Sequence, residues 1–291
     1  MIYAIPFPDI SPEIFSVSLA GLHLAVRWYA LGYIVGILIG WWIATRAIAN
    51  PRLWAGEPPM SKAQLEDLVT WMILGIIIGG RLGFVLFYQP GYYLSHPVEI
   101  LQVWNGGMAF HGGFLGVVVA ASIFAWRNKV PAASLADILA IAAPAGLGIV
   151  RVANFINAEL WGHPTTMPWG VIFPGEAAQS CPGFALPCAR HPSQLYEAAL
   201  EGGVLLVLVL VLAWKRGWLK RPGMIAGTFF LGYGLSRFTV EFFRQADAQF
   251  ITVDNPMGHV FLGMTQGQLL STPMIAAGVL TLIWATRRAK A

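Results

Sequence analysis

Apolar residues gather in seven stretches of this chain, and inside each stretch the polar positions are few and grouped. The stretches run near 22–48, 65–88, 112–127, 135–157, 192–214, 223–244 and 268–287, the third being the shortest. A helix needs about 17–25 predominantly apolar residues to cross a bilayer. Two of the stretches carry glycine at every fourth position, Gly32-Gly36-Gly40 and Gly75-Gly79-Gly83, the small-residue faces along which membrane helices approach closely. The pattern predicts an all-α integral membrane protein, a bundle of seven transmembrane helices forming a single domain over residues 1–291.

Charge in the connections orients the bundle. Arg46, Arg52 and Lys62 follow the first stretch, Arg127 and Lys129 the third, Lys215, Arg216, Lys220 and Arg221 the fifth, and Arg287, Arg288 and Lys290 the last. Residues 1–21, 89–110 and 245–267 contain no Lys or Arg, and 158–191 contains only Arg190. Cytoplasmic loops are enriched in Lys and Arg, so the alternation predicts an N-terminus outside and a cytoplasmic C-terminus. Two long outer connections result. Residues 89–111 lead to His111, and 158–191, rich in Pro and Gly, is either a lid or peptide-docking arm or an ordinary connection.

Composition supports the membrane reading. The chain is 57% hydrophobic and 11% charged, against about 25% charged in soluble domains. A pI near 9.2 invites nucleic acid as a partner, but the basic residues are dispersed over loops, and topology accounts for them. No cleavable signal peptide is expected, because Met1 to Gly21 lacks a basic start and includes Pro6, Pro8 and Pro12.

Six basic residues remain outside the cytoplasmic anchors: Arg27, Arg81, Arg151, Arg190, Arg237 and Arg244. All are arginines, within stretches or toward the outer face. Arginine presents a planar fork suited to phosphate or carboxylate, so the outer half reads as an anion site. In the sixth stretch Tyr233, Arg237, Glu241 and Arg244 fall within about 80° on a helical wheel. An Arg237–Glu241–Arg244 ladder could simply lock helices together; two arginines against one carboxylate leave a surplus positive charge that favours an anionic ligand. In the fourth stretch Arg151, Asn154 and Asn157 continue one face and Glu159 flanks Arg151. Snorkelling to headgroups would explain Arg151 alone, but it lies about two turns before the helix end. His111 sits among four glycines and is suited to general base work near neutrality, or is structural. Glu197 and Glu201, one turn apart, either pair an arginine at a helix start or act in catalysis. Tyr29 falls at the outer interface, where aromatic belts occur. Asp137, Glu66 and Asp67 fall at cytoplasmic helix starts, where acidic residues favour the dipole. Cys181 and Cys188 share an outer loop, bridged or free. No zinc-protease helix, nucleophile elbow or phosphate-binding loop is present.

Four segments carry a family resemblance: Gly106-Gly-Met-Ala-Phe-His111-Gly-Gly, Arg151-Val-Ala-Asn-Phe-Ile-Asn-Ala-Glu-Leu-Trp-Gly162, Arg190-His-Pro-Ser-Gln-Leu-Tyr-Glu197, and Arg237 through Phe250. In order, and across nearly the whole chain, they resemble the bacterial prolipoprotein diacylglyceryl transferases, with departures from the usual pattern at Val150, Val152 and Ala153. The resemblance implies a multi-pass inner-membrane enzyme with its site toward the outer leaflet. It would move the diacylglyceryl group of phosphatidylglycerol to the lipobox cysteine of a prolipoprotein signal peptide, without metal, nucleotide or other cofactor. The expected catalytic residues are His111, Arg151, Arg237, Tyr29, Glu159 and Glu241. Arg151, Asn154, Tyr233, Arg237 and Arg244 are expected to bind phosphatidylglycerol, with Glu159, Glu241 and Arg244 holding the arginines in place. A membrane transporter that coordinates an anion through the same arginines is the alternative from another class.

Overall fold

A computed structural model describes residues 4–19, 22–184, 186–252 and 254–288. Short strand β1 (Ile5–Pro6) precedes an antiparallel hairpin of β2 (Glu13–Leu19) and β3 (Leu22–Arg27). Then come α1 (Trp28–Ile48), α2 (Lys62–Phe87), the short α3 (Pro90–Ser95), α4 (Phe110–Arg127) and α5 (Ala132–Ile156). Strand β4 (Val171–Ile172) and the single turn α6 (Glu176–Gln179) lie in the next connection. A composite helix follows, built of α7 (Ser193–Glu197), a π-helical stretch (Ala198–Val204) and α8 (Leu205–Trp214). The chain ends with α9 (Met224–Val240), the small hairpin β5 (His259–Phe261) and β6 (Met264–Thr265), and α10 (Gln266–Arg288).

Five helical stretches, Trp28–Ile48, Lys62–Phe87, Ala132–Ile156, Ser193–Trp214 and Gln266–Arg288, are long and apolar enough to cross a membrane. The other two expected stretches are the shorter helices α4 and α9. The first stretch starts later than expected. Residues 22–27 put Leu22, Leu24 and Val26 at every second position with His23 and Arg27 between and after them, a period-two pattern of a strand, and they pair with β2 before the helix begins at Trp28. Arg27 consequently meets Glu13 at 3.3 Å on the hairpin. The sixth stretch also ends early, at Val240, where the helix gives way to tight turns.

Helix pairing follows the glycines. A Cβ placed on Gly36 would stand 2.9 Å from the Gly146 Cα, and one on Gly79 2.8 Å from the Gly116 Cα. These contacts seat α1 on α5 and α2 on α4. A third approach joins α5 to the π-helical stretch, where a Cβ on Gly148 would stand 3.0 Å from the Gly202 Cα.

One end of the bundle is an apolar core of Ile43, Leu68, Phe124, Ile138, Ile141, Val209 and Ile225. Asp137 is fully buried there and accepts from the backbone N–H groups of Gly223 and Ala226, each at 2.7 Å. It caps α9, not the start of its own helix as its position suggested: the left-handed Gly223 turn aims the free N–H groups of α9 at α5.

The other end carries the long connections, held by two of the expected anion-binding arginines. Arg81, buried, donates to the carbonyls of Glu99, Ile100, Gly106 and Gly107 at 2.6–3.2 Å and stacks on Tyr93. Arg190, also buried, donates to the carbonyls of Ala178, Ser180 and Gly162 and to Gln245, with its guanidinium 4.0 Å above the Trp161 ring. Burial pushes Arg190 down to about 10, so it stays charged at neutral pH. The forks of both arginines are consumed chiefly by backbone carbonyls. The 158–191 connection is further fixed by a Cys181–Cys188 disulfide and by parallel pairing of β4 with β1.

Candidate active site

Three arginines, Arg151 of α5, Arg237 near the end of α9 and Arg244 in the turns just beyond it, converge on one carboxylate, Glu197 of α7. Arg151 Nε lies 3.1 Å from Glu197 Oε2, Arg244 Nη1 lies 3.3 Å from Oε1, and Arg237 Nη1 also donates to Oε1. Glu201, one turn on, places Oε2 3.5 Å from Arg151 Nε. Glu241 Oε2 lies 2.8 Å from Arg237 Nη2 as an ion pair, one helical turn along the same face. Glu197 and Glu201 are completely buried, whereas Arg151, Arg237 and Arg244 retain 18%, 17% and 11% exposure. The carboxylates therefore form a buried floor, and the arginines keep partial exposure above it.

Local structure produces this convergence. Widening of the helix at Ala198–Val204 keeps Glu197 and Glu201 both turned toward α5 while Gly202 packs on Gly148; such bulges recur at functional sites. Glu241 fits because Gly267 of α10 has no side chain, since a Cβ there would collide with the carboxylate. Tyr233 completes the floor, its hydroxyl within hydrogen-bonding reach of Arg151.

A second group adjoins the first. Asn154, on α5 one turn beyond Arg151, donates to the Tyr29 hydroxyl at the start of α1 and to Glu159 Oε1 at 2.8 Å. Glu159 returns to the bundle because Ala158 and Leu160 both adopt left-handed backbone, at φ 51° and 57°. Neither is glycine, and such conformations cost on the order of 1–3 kcal/mol each. The turn is held by Gln194 Nε2 donating to the Glu159 carbonyl at 2.5 Å and by Ser193 Oγ donating to the Leu160 carbonyl at 3.0 Å. The buried oxygens Asn154 Oδ1, Asn157 Oδ1 and Gln194 Oε1 have no hydrogen-bond partner within the described protein.

Several sequence expectations change here. The surplus positive charge is balanced, because Glu197 and Glu201 join Glu241 against the three arginines. The ladder on α9 is only half formed: Glu241 holds Arg237, but Arg244 turns to Glu197 instead. Glu159 meets Asn154, not an arginine, because the left-handed turn carries it back beside its own helix. Glu197, one of two readings left open in the sequence, is the hub, and Gln194 was missed. His111 comes from the other helix pair: it opens α4, which packs on α2, and its side chain is exposed.

The family model for prolipoprotein diacylglyceryl transferase matches residues 16–284. The chain belongs to the prolipoprotein diacylglyceryl transferase family. Curated relatives agree over their full length. A phosphatidylglycerol–prolipoprotein diacylglyceryl transferase of Cereibacter sphaeroides is 60% identical over 289 residues, covering 98% of this chain and 99% of the relative. The enzyme of the same name from Ruegeria pomeroyi is 61% identical over 290 residues, covering 98% and 97%. That from Brucella anthropi is 48% identical over 288 residues, covering 98% and 94%. Family membership makes this an enzyme of lipoprotein biosynthesis, and its apolar helices make it a multi-pass membrane protein. Among the described residues no group of three His, Cys, Asp or Glu side chains could hold a metal ion.

Proposed function

We propose that this protein transfers the diacylglyceryl group of phosphatidylglycerol to the lipobox cysteine thiol of a prolipoprotein, forming a thioether and releasing glycerol 1-phosphate. The reaction would take place at the outer leaflet of a bacterial inner membrane. The observation that carries the reading is the convergence of Arg151, Arg237 and Arg244 on one buried floor in a chain alike over its full length to relatives bearing this activity as a name.

The chemistry suits those residues. The cysteine sulfur attacks the glycerol carbon that carries the phosphate, the C–O bond breaks, and a phosphate monoester leaves with more charge than the diester had. Preformed guanidinium donors bind that growing charge more tightly than they bind the lipid, which lowers the barrier. Arg151 and Arg237 grip the phosphate, with Arg244 beside them and Tyr233 orienting Arg151. Glu197 holds the three forks in register until the phosphate replaces its oxygens. Glu241 fixes Arg237. Asn154, Tyr29 and Glu159 form the adjoining wall, whose unpartnered Asn154 oxygen offers an acceptor to substrate. A thiol with a pKa near 8.5 needs a base or a positive field; the arginines supply the field and His111 serves as the base.

The topology belongs to the same proposal: seven spans, N-terminus outside, C-terminus cytoplasmic. Support comes from the disulfide in 158–191, which requires an oxidising compartment, and from the confinement of every lysine in sequence to the alternate, basic connections and tail. The 158–191 connection then covers the site and receives the signal peptide.

Mass spectrometry tests the reading. Purified protein, a lipobox peptide and phosphatidylglycerol should yield a diacylglyceryl mass gain on cysteine together with glycerol 1-phosphate. No gain from folded protein, with anion flux in liposomes instead, would establish the transporter.

A further inference from the structure

Binding a phosphodiester in this cluster disturbs its charge balance. Three guanidiniums face three carboxylates, Glu197, Glu201 and Glu241. One added lipid phosphate leaves one net negative charge on a floor that is buried. An uncompensated charge in such surroundings costs several kcal/mol, so a proton should be taken up when the lipid binds. The lipid itself cannot take it, because a phosphodiester remains an anion across the physiological range.

The three carboxylates differ in how firmly their charge is held. Glu197 contacts three guanidiniums. Glu241 has Arg237 at 2.8 Å. Glu201 has one ion-pair partner, Arg151 at 3.5 Å, a completely buried side chain, and no hydrogen-bond partner on either carboxylate oxygen among the described residues, where Glu197 and Glu241 each have one such oxygen. The charged and titratable groups facing it are Arg151 from α5, Glu197 from α7, and Tyr233 and Arg237 from α9. Once Arg151 and Arg237 turn toward a phosphate, what remains beside Glu201 is chiefly Glu197, another carboxylate.

We propose that Glu201 is a positioning residue that takes up one proton when phosphatidylglycerol binds, so that the arginine floor stays neutral while its forks transfer from glutamate to phosphate. The inference rests on the phosphate-gripping reading of Arg151 and Arg237. Linkage gives the sign: proton uptake on binding strengthens lipid affinity as pH falls and weakens it as pH rises, by up to about tenfold per pH unit for one proton.

Calorimetric titration of the purified protein with phosphatidylglycerol in detergent, run in buffers of different ionisation heat, reads the number of protons directly. Close to one proton per lipid is expected for the wild type. Glu201→Gln should abolish uptake and flatten the pH dependence of lipid affinity, while Glu241→Asp, which keeps the charge count of the cluster, should keep the uptake even as affinity falls. Unchanged uptake in Glu201→Gln would overturn the assignment, as would zero uptake in the wild type, a readout that needs no variant to fold. An Arg237→Ala variant separates the two levels. If it binds lipid as the wild type does, the phosphate-gripping reading fails; if its binding is lost but the wild type takes up no proton, only the role of Glu201 fails.

Discussion

Arg237 is the residue on which geometry and chemistry bear most. Its two terminal nitrogens are divided between Glu197 and Glu241, a fork geometry that lysine cannot reproduce. Arg237→Lys keeps the charge and should lower kcat/KM at least about 100-fold in the peptide assay, the scale of losing one oriented transition-state donor; near-normal turnover would remove the fork from the mechanism. Glu197→Gln asks a different question. It leaves three guanidiniums without their common carboxylate, a change that costs about 3–5 kcal/mol when one partner of a buried ion pair is lost. A correspondingly lower thermal midpoint in detergent is expected, and an unchanged midpoint would show that the arginines find other partners. Part of this site could be read from spacing: Arg151 with Asn154, and Arg237 with Glu241, share faces set by helical periodicity alone. Glu197 as hub could not, because its three partners come from two other helices. Nor does spacing separate Arg81 and Arg190, whose forks serve backbone carbonyls, from the arginines left facing the site.

At the level of elements, long apolar runs announced the long helices but not the short α3 and α6, since only a helix satisfies its own backbone in lipid. The β2–β3 hairpin escaped notice because its alternation merges into the apolar run of α1. The π-helical widening has no local signal; it depends on Gly202 meeting Gly148 across two helices. Close glycine contacts make a direct prediction. Gly79→Leu would drive a side chain into the Gly112 and Gly116 backbone of α4, and loss of the monodisperse folded protein by size-exclusion chromatography is expected, whereas Gly56→Leu meets open space and should leave it intact. The 158–191 connection carries a pH response of its own. Burial lowers both His163 and His191 from their ordinary value, so each is favoured neutral in the fold while the unfolded chain protonates near 6.5. Their contribution is complete above that value and is lost as pH falls below it. Protease resistance of the 158–191 connection should therefore decline between about pH 7 and pH 5, and a His163→Gln, His191→Gln double variant should flatten the decline.

For the whole molecule the distribution of polarity is the main fact. The apolar core around Phe124 and Ile138 fills one end, and the arginine floor, the disulfide and the long connections occupy the other. Lys62, Lys129, Lys215 and Lys220 fall with the core end, and the proposed orientation turns that end to the cytoplasm by the positive-inside rule. This assignment decides where the reaction occurs, because a site reached from the other face would meet the wrong leaflet and a reducing compartment. Single cysteines resolve it. Ser95→Cys lies exposed on the 89–111 connection and Lys62→Cys exposed at the start of α2, and the native cysteines are already joined to each other. In intact spheroplasts a membrane-impermeant maleimide should label Ser95→Cys at once and Lys62→Cys only after permeabilisation. The opposite pattern would invert the bundle and place the arginine floor at the inner leaflet. It would leave the disulfide without an oxidising environment, so the redox state of Cys181 and Cys188 in the same cells provides an independent check on the same orientation.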